Sequence, residues 1–251
     1  MMNSTTKNKI LGLLKYLAVF LICIGAWQIF ALIVDNGYFL PTVPDTFIAL
    51  IHLFTMKGFI LLLLKSILRV AIGLFLGITL GVLLATLCKV FPISKTLISP
   101  IISVMKATPI AAIILILWFT FTDFSLAIFV VILMVTPVIW QNVYDGFESI
   151  SSEMIEVCEV YELSKIKRIR LLIIPCVLRY LIPAVITSIG LAWKAEIAAE
   201  IMTYSNIGRS IQDFKTLFYD TASVFAWAVV IVALSLVLEK ITKYFLRRID
   251  L

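Results

Sequence analysis

A chain of 251 residues that is 62% hydrophobic and only 14% charged is too apolar for a soluble domain of its size. Its mean hydropathy of +1.11 excludes a soluble enzyme and indicates a polytopic membrane protein. The formal net charge of +6 has no soluble domain to carry it, which excludes a nucleic-acid-binding protein as well.

Six apolar runs approach or reach the length of about 20 residues that crosses a bilayer about 30 Å thick. In chain order they cover residues 16–34, 70–88, 97–119, 124–143, 171–193 and 222–238. The first run is too long for the apolar core of a secretory signal, so we expect a retained span. The predicted fold class is all-α: a polytopic bundle of six transmembrane helices, forming one domain over residues 1–251.

Glycine and proline residues mark packing and bending within the predicted spans. Gly73, Gly77 and Gly81 recur every four residues, which places them on one helix face and predicts close helix contact. Prolines within or at the ends of spans, where they tend to kink a helix, are Pro109, Pro137, Pro175 and Pro183. Between the first two spans, Asp45 is predicted to cap a short amphipathic helix at the outer interface.

No catalytic or metal-binding residues are predicted. His52 is the only histidine and has no neighbouring cluster of carboxylates or cysteines, and the four cysteines lack the spacing of a disulfide or a metal site. The sequence contains no Gly-rich phosphate loop and no catalytic cluster, so we expect neither enzymatic activity nor a cofactor in this chain.

Lysine and arginine collect in alternate loops. One set of loops contains the basic residues of segments 7–15, 89–95, 165–170 and 240–248, whereas the other contains Lys57, Lys65, Arg209 and Lys215. Because basic residues are concentrated on the cytoplasmic side, the tail 1–15, the loop 144–170 and both termini are predicted to be cytoplasmic.

The stretch EVCEVYELSKIKRIRLLIIP, residues 156–175, is the least hydrophobic long segment of the chain. Ser152, just before this stretch, is predicted to cap a short helix that continues into it. The apolar face of that helix is formed by Ile150, Met154, Val157 and Tyr161. A second helix is predicted to start at Ser164, with one basic turn, and to continue into the fifth span. Glu156 and Glu159 would be repelled by anionic lipid, so the segment is predicted to bind a protein.

This segment resembles the cytoplasmic loop of the membrane subunits of bacterial ATP-binding-cassette importers, which reads E-A-A, three residues, G, nine residues, I-x-L-P. Glu156 and Pro175 match its two ends, and Glu162 occupies the glycine position. The alanines are replaced by Val157 and Cys158, and the isoleucine and leucine by Leu172 and Ile174. The resemblance implies a coupling helix that docks on an ATPase subunit, with the contact residues Met154, Glu156, Val157, Cys158, Tyr161 and Glu162.

From about residue 40 to 248 the chain looks like the nitrate, taurine and sulfonate branch of these permeases. The matching segments are LPTVPD, SILRVAIGLFLGITLGVLLA, VMKATPIAAIIL and GLAWKAEIAAE. The resemblance implies a bacterial inner-membrane permease with four kinds of partner: a second copy of itself, two ATPase subunits that bind ATP and Mg²⁺, an extracytoplasmic solute-binding protein and the lipid bilayer. It does not decide among small oxyanions, sulfonates and vitamin precursors as the solute.

Two other classes of transporter are alternatives. A secondary transporter usually shows an internal repeat, which is absent from this sequence, and has no use for a cytoplasmic docking helix. The membrane component of an energy-coupling vitamin importer also contacts ATPases through cytoplasmic helices, but it is not expected to contain the ordered segments above.

Ionisable residues within or at the ends of spans are candidates for the solute pathway. Lys106 lies within the third predicted span, where a charge is costly unless it faces a partner or water. Trp193, Lys194, Glu196 and Glu200 follow at the outer end of the fifth span. They are predicted either to line the path or its outer gate, with Lys106 attracting an anionic or polar solute, or to be structural. In the structural alternative Lys106 reaches the cytoplasmic headgroups, and the glutamates are solvated or bonded to Lys194.

Overall fold

The computed structural model describes residues 4–246, and every regular element in that range is a helix. The α-helices are α1 (Ser4–Val34), α2 (Val43–Thr55), α3 (Phe59–Val90), α4 (Pro92–Ala107), α5 (Ile110–Leu117), α6 (Asp123–Glu148), α7 (Ser152–Val160), α8 (Lys165–Arg168), α9 (Ile174–Met202), α10 (Asn206–Thr216) and α11 (Thr221–Leu246). A π-helical turn, Ile169–Ile173, joins α8 to α9. The all-α prediction is confirmed.

Five helical segments of the described chain are long and apolar enough to cross a membrane. They lie in α1, α3, α6, the continuous segment Lys165–Met202 and α11. The remaining predicted span, 97–119, is not one straight helix, because α4 and α5 meet at an angle of 99°. Pro109 explains the break: it lacks a backbone N–H and forces Thr108 into an extended conformation, with φ −76° and ψ 127°. Six spans result only if this bent pair counts as one.

The predicted short helix between the first two spans exists as α2, but its cap differs from the prediction. Thr42 is the N-cap, and its hydroxyl accepts a hydrogen bond from the backbone N–H of Asp45 at 3.3 Å. The same hydroxyl donates to the Asp45 carboxylate at 2.5 Å. Asp45 therefore lies in the first turn, where its charge is favourable near the positive end of the helix.

The chain divides into two compact units, each built from separate segments. The first contains the residues up to Phe59 together with Ile211–Ile231. Within it, Trp27 Nε1 donates to the Pro41 carbonyl at 3.1 Å, and the Trp27 ring lies 5.7 Å from the Phe225 ring. The second unit contains Ile60–Ser210 and the residues from Val232 onward, and it includes α7, the Arg69–Glu200 pair and Lys106.

Close packing of α3 on α6 in the second unit confirms the prediction from the glycine spacing. A Cβ atom placed on Gly73 would lie 2.6 Å from Val131, and one on Gly81 would lie 2.7 Å from Ile139. Gly77 meets Val135 in the same way, at 2.9 Å. These glycines let α6 lie directly on the backbone of α3.

Helix α6 also packs against α9. Leu126, Ala127 and Val130 of α6 form a buried cluster with Ala195 and Ala199 of α9. The small residues on α9 permit this close contact. As a result Glu196 and Glu200, on the same helix, are buried inside the unit.

Candidate functional site

The predicted coupling segment forms helix α7 after the end of α6. The predicted loop 144–170 is shorter than expected, because α6 continues to Glu148. Ser151, rather than Ser152, is the N-cap, and its hydroxyl accepts from the backbone N–H of Met154 at 3.4 Å. The Glu153 carboxyl accepts hydrogen bonds from the Ser151 hydroxyl and from the Glu153 backbone N–H. Both lower the pKa of this carboxyl below its usual value. The first turn of α7 therefore carries a stable negative charge.

The exposed surface of α7 carries both apolar and acidic side chains. Of the six predicted coupling residues, only Cys158 is buried. The exposed ones are Met154, Glu156, Val157, Tyr161 and Glu162. Val160, which is not among the predicted contact residues, is 80% exposed. Exposed apolar side chains beside acidic ones on a short helix are typical of a protein docking site.

A tight turn follows α7 even though the family's glycine is absent. The Leu163 N–H donates to the Cys158 carbonyl at 2.9 Å, and the Glu162 N–H donates to the Glu159 carbonyl at 2.9 Å. This pair of bonds is the Schellman arrangement, which requires a left-handed residue after the helix. Glu162 takes that role with φ +47°. The chain thus forms the glycine turn with a residue that is strained in it.

We expect Glu162→Gly to stabilise α7 locally by about 1 kcal/mol, because glycine adopts positive φ without a steric penalty. Hydrogen–deuterium exchange of the α7 amides should become slower by about fivefold. The control, Glu156→Gly, places glycine inside the same helix and should speed exchange by a similar factor. Unchanged exchange in Glu162→Gly would show that the turn carries no strain.

A buried ion pair joins α3 to the end of α9. Arg69 Nη1 lies 2.9 Å from Glu200 Oε1, and the two side chains are 8% and 0% exposed. The same oxygen accepts from Ser66 Oγ at 2.8 Å and from Asn206 Nδ2 at 2.9 Å. The Arg69 guanidinium also lies over the Phe124 ring, 5.2 Å from its centroid. Three polar residues thus compensate one buried carboxylate, and the aromatic ring stabilises the Arg69 cation.

The start of α10 completes this cluster. Glu200 Oε2 accepts from the backbone N–H groups of Ile207 at 3.0 Å and Gly208 at 3.4 Å. These N–H groups lie in the first turn of α10, where a helix offers donors without a partner inside the helix and favours a negative charge. A Cβ atom on Gly208 would lie 2.1 Å from the carbonyl carbon of Glu200, so only glycine permits this approach. The cluster fixes the α9–α10 connection to α3.

The structural alternative for the two glutamates is wrong in detail. Both are fully buried rather than solvated, and the cation paired with Glu200 is Arg69, not the exposed Lys194. Trp193 is buried too, with 1% of its surface exposed. Both carboxyl oxygens of Glu196 are buried without a hydrogen-bond partner in the described part of the chain. Arg69 was not predicted as part of this site, although a basic residue within a membrane helix is itself a signal for an acidic partner.

Lys106 lies in the last turn of α4, next to the break before α5. Its side chain is exposed, and Nζ donates to Gln141 Oε1 on α6 at 3.3 Å. Among the described residues, no ion pair or hydrogen bond connects Lys106 to the buried cluster on α9. The structure therefore separates the predicted pathway residues into one exposed group and one buried group.

Comparison with known sequences gives one family match. The sequence model described as "Binding-protein-dependent transport system inner membrane component" matches residues 77–251, which is more than half of the chain. The aliphatic sulfonates transport permease protein SsuC of Bacillus subtilis is 28% identical over 244 residues, covering 95% of this chain and 86% of the relative.

Two other relatives match over a shorter region. The nitrate import permease protein NrtB of Synechococcus elongatus is 34% identical over 152 residues, which cover 59% of this chain and 53% of the relative. The bicarbonate transport system permease protein CmpB of Synechocystis sp. is 31% identical over 153 residues, which cover 61% and 55%. The chain thus spans about half the length of these two relatives.

Two solved structures share the fold. A crystal structure of an amino acid ABC transporter aligns with a TM-score of 0.58 at 18% identity, covering 75% of this chain and 91% of the other. The MetNI methionine ABC transporter aligns with a TM-score of 0.59 at 16% identity, covering 76% and 93%. At this identity the likeness concerns the fold alone.

Proposed function

Because the chain belongs to the family of binding-protein-dependent transport system inner membrane components, we propose a specific assembly and docking surface for it. It is the multi-pass permease subunit of an ABC importer in the nitrate, taurine and sulfonate branch, and it forms the translocation path for a small solute in the inner membrane. Its family works with ATPase subunits and a solute-binding protein, so ATP hydrolysis is not carried out by this chain. In the proposed assembly two copies pair, and ATP and Mg²⁺ bind to the two ATPase partners.

The exposed surface of α7 carries this proposal. Each copy would insert α7 into a groove of one ATPase subunit, using the apolar side chains of Met154, Val157 and Tyr161 and the charge of Glu156. From α8 through the π-helical turn, the chain continues without a break into α9. Movement of the ATPase subunits would therefore be transmitted from α7 to a membrane-spanning helix.

The exposed and the buried candidate residues receive different proposed roles in the path. Lys106 and Lys194 are exposed and are assigned to its surface. Trp193, Glu196 and Glu200 are buried, so they are assigned to the gate rather than to the surface of the path. Glu200 would contribute to the gate by holding the start of α10 against α9.

We propose a small oxyanion as the solute. Sulfonates, nitrate and bicarbonate, named for the three relatives, share delocalised negative charge on oxygen atoms. The exposed ammonium of Lys106 offers matching charge within the membrane region.

Purification of the tagged chain with its associated proteins tests the assembly. We expect two copies of this chain and two ATPase subunits in a complex whose mass is measured by native mass spectrometry. A chain that is purified without ATPase subunits would contradict the assembly and support a secondary transporter. A single copy per assembly would instead indicate the energy-coupling type.

The proposed orientation places both termini in the cytoplasm and α2 outside. In a cysteine-free background, single cysteines at positions 3 and 250 should be shielded from an impermeant thiol reagent in intact cells. A cysteine replacing the exposed Thr55 at the end of α2 should react. Positions 3 and 250 lie outside the described residues. Labelling at either terminus would overturn the orientation.

A further inference from the structure

The contact between Lys106 and α6 belongs to a chain of three polar side chains. Lys106 Nζ donates to Gln141 Oε1 at 3.3 Å, and Gln141 Nε2 donates to Asp145 Oδ1 at 2.9 Å. Because the Asp145 carboxylate accepts from the amide nitrogen, the amide oxygen is turned toward Lys106. Asp145 therefore fixes the orientation of Gln141, which in turn holds the ammonium group.

These side chains are not covered by the rest of the unit. Lys106 and Asp145 are exposed, and Gln141 is half-buried. Gln141 lies about 10 Å from the end of α6, since an α-helix rises about 1.5 Å per residue. Lys106 lies within the predicted span 97–119, where an ammonium group is unfavourable in lipid, so we expect this surface to face water or a polar partner.

Helix α4, which carries Lys106, has one apolar face and one polar face. Its exposed apolar side chains, Ile93, Leu97, Ile101 and Val104, recur at helical spacing on one face. Ser99, Ser103 and Lys106 lie on another face at spacings of four and three residues. One face of α4 suits lipid or a protein neighbour, and the other suits a wet cavity.

The charge on Lys106 is not neutralised by an ion pair. Within the described range, no carboxylate lies within ion-pair distance of Nζ, and the one hydrogen-bond acceptor found for it is the neutral amide of Gln141. An ammonium group has three donors, so it can bind another acceptor while it keeps its contact to Gln141. A small anion fits this environment, because it supplies both charge and oxygen acceptors.

We propose that Lys106, oriented by Gln141 and Asp145, forms a contact site for a small oxyanion on the translocation path. This inference rests on the proposed function as an oxyanion permease. Lys106 binds the anion, whereas Gln141 and Asp145 are positioning residues that keep the ammonium beside α6. We expect the site to bind an anion weakly, because the nearby Asp145 carboxylate opposes tight binding and favours release.

Reconstitution of the whole importer, with its ATPase subunits and binding protein, tests this site. Uptake into proteoliposomes is measured for nitrate, bicarbonate, ethanesulfonate, a neutral sugar and a quaternary ammonium ion. We expect Lys106→Met to lower oxyanion uptake at least tenfold while basal ATP hydrolysis is retained, and Lys106→Arg to keep most of the uptake. Asp145→Asn should change the KM more than the maximal rate. The control, Lys95→Met, changes an exposed lysine of the same helix that lies over the Tyr144 ring, and should have little effect.

Each other outcome contradicts a different statement. Wild-type uptake of an oxyanion in Lys106→Met would refute the site and leave the permease function intact, as would an equal loss in Lys95→Met. Import of only the neutral or cationic solute would refute both the oxyanion class and the site. ATP-dependent uptake of none of the five solutes would count against the site and the proposed oxyanion function together.

Discussion

Arg69→Met should destabilise the protein by about 3–5 kcal/mol, because it leaves the Glu200 carboxylate buried without its cation. Glu200 has no exposed surface, so water cannot replace the lost partner. We expect the variant to unfold at a markedly lower temperature in detergent, with loss of the monodisperse peak in size-exclusion chromatography.

A second substitution separates charge from packing. Adding Glu200→Gln to Arg69→Met removes the unpaired charge, so the double variant should recover part of the lost stability. Lys65→Met, an exposed change on the same helix, should alter the free energy of unfolding by no more than about 0.5 kcal/mol. If the Arg69→Met and Lys65→Met variants had the same free energy of unfolding, the buried ion pair would contribute nothing to stability.

Glu156→Lys should abolish coupled transport without unfolding the protein. Glu156 is exposed on α7, and no ion pair of it occurs in the described part of the chain, so its replacement disturbs no internal contact. Reversal of its charge at the docking surface is expected to weaken binding of the ATPase or to separate ATP hydrolysis from uptake. Both are measured together, as ATPase retained on the tagged permease and as solute uptake per ATP hydrolysed.

The matched control reverses an exposed charge elsewhere. Lys57→Glu lies between α2 and α3 and should leave both quantities unchanged. Normal uptake together with normal ATPase retention in Glu156→Lys would argue against α7 as the docking helix.

Hydrophobicity and spacing predicted the helices well, because a membrane helix must satisfy its backbone internally and therefore shows its length in the sequence. The glycines at positions 73, 77 and 81 predicted a contact that the structure confirms, since spacing of four residues places them on one face regardless of the partner. The basic turn after Ser164 was likewise predicted, and Ser164 caps α8 as expected.

Features that depend on distant residues were not predictable in the same way. The bend at Pro109 changes a predicted span into two helices, and hydrophobicity alone does not distinguish a kinked span from a broken one. Arg69 and Glu200 are separated by 131 positions, so no local pattern joins them. The need for glycine at position 208 follows only from the contact of α10 with the Glu200 backbone. Glu162, with positive φ, forms a turn that is typical of glycine.

ATP-dependent import by the reconstituted complex tests the permease function most directly. Proteoliposomes should contain this chain, its ATPase subunits and internal ATP, with the binding protein and a labelled oxyanion outside. We expect accumulation of the oxyanion that requires ATP, the binding protein and an intact α7, and that continues when ion gradients are dissipated. Accumulation driven by an ion gradient in the absence of the ATPase subunits would contradict the account.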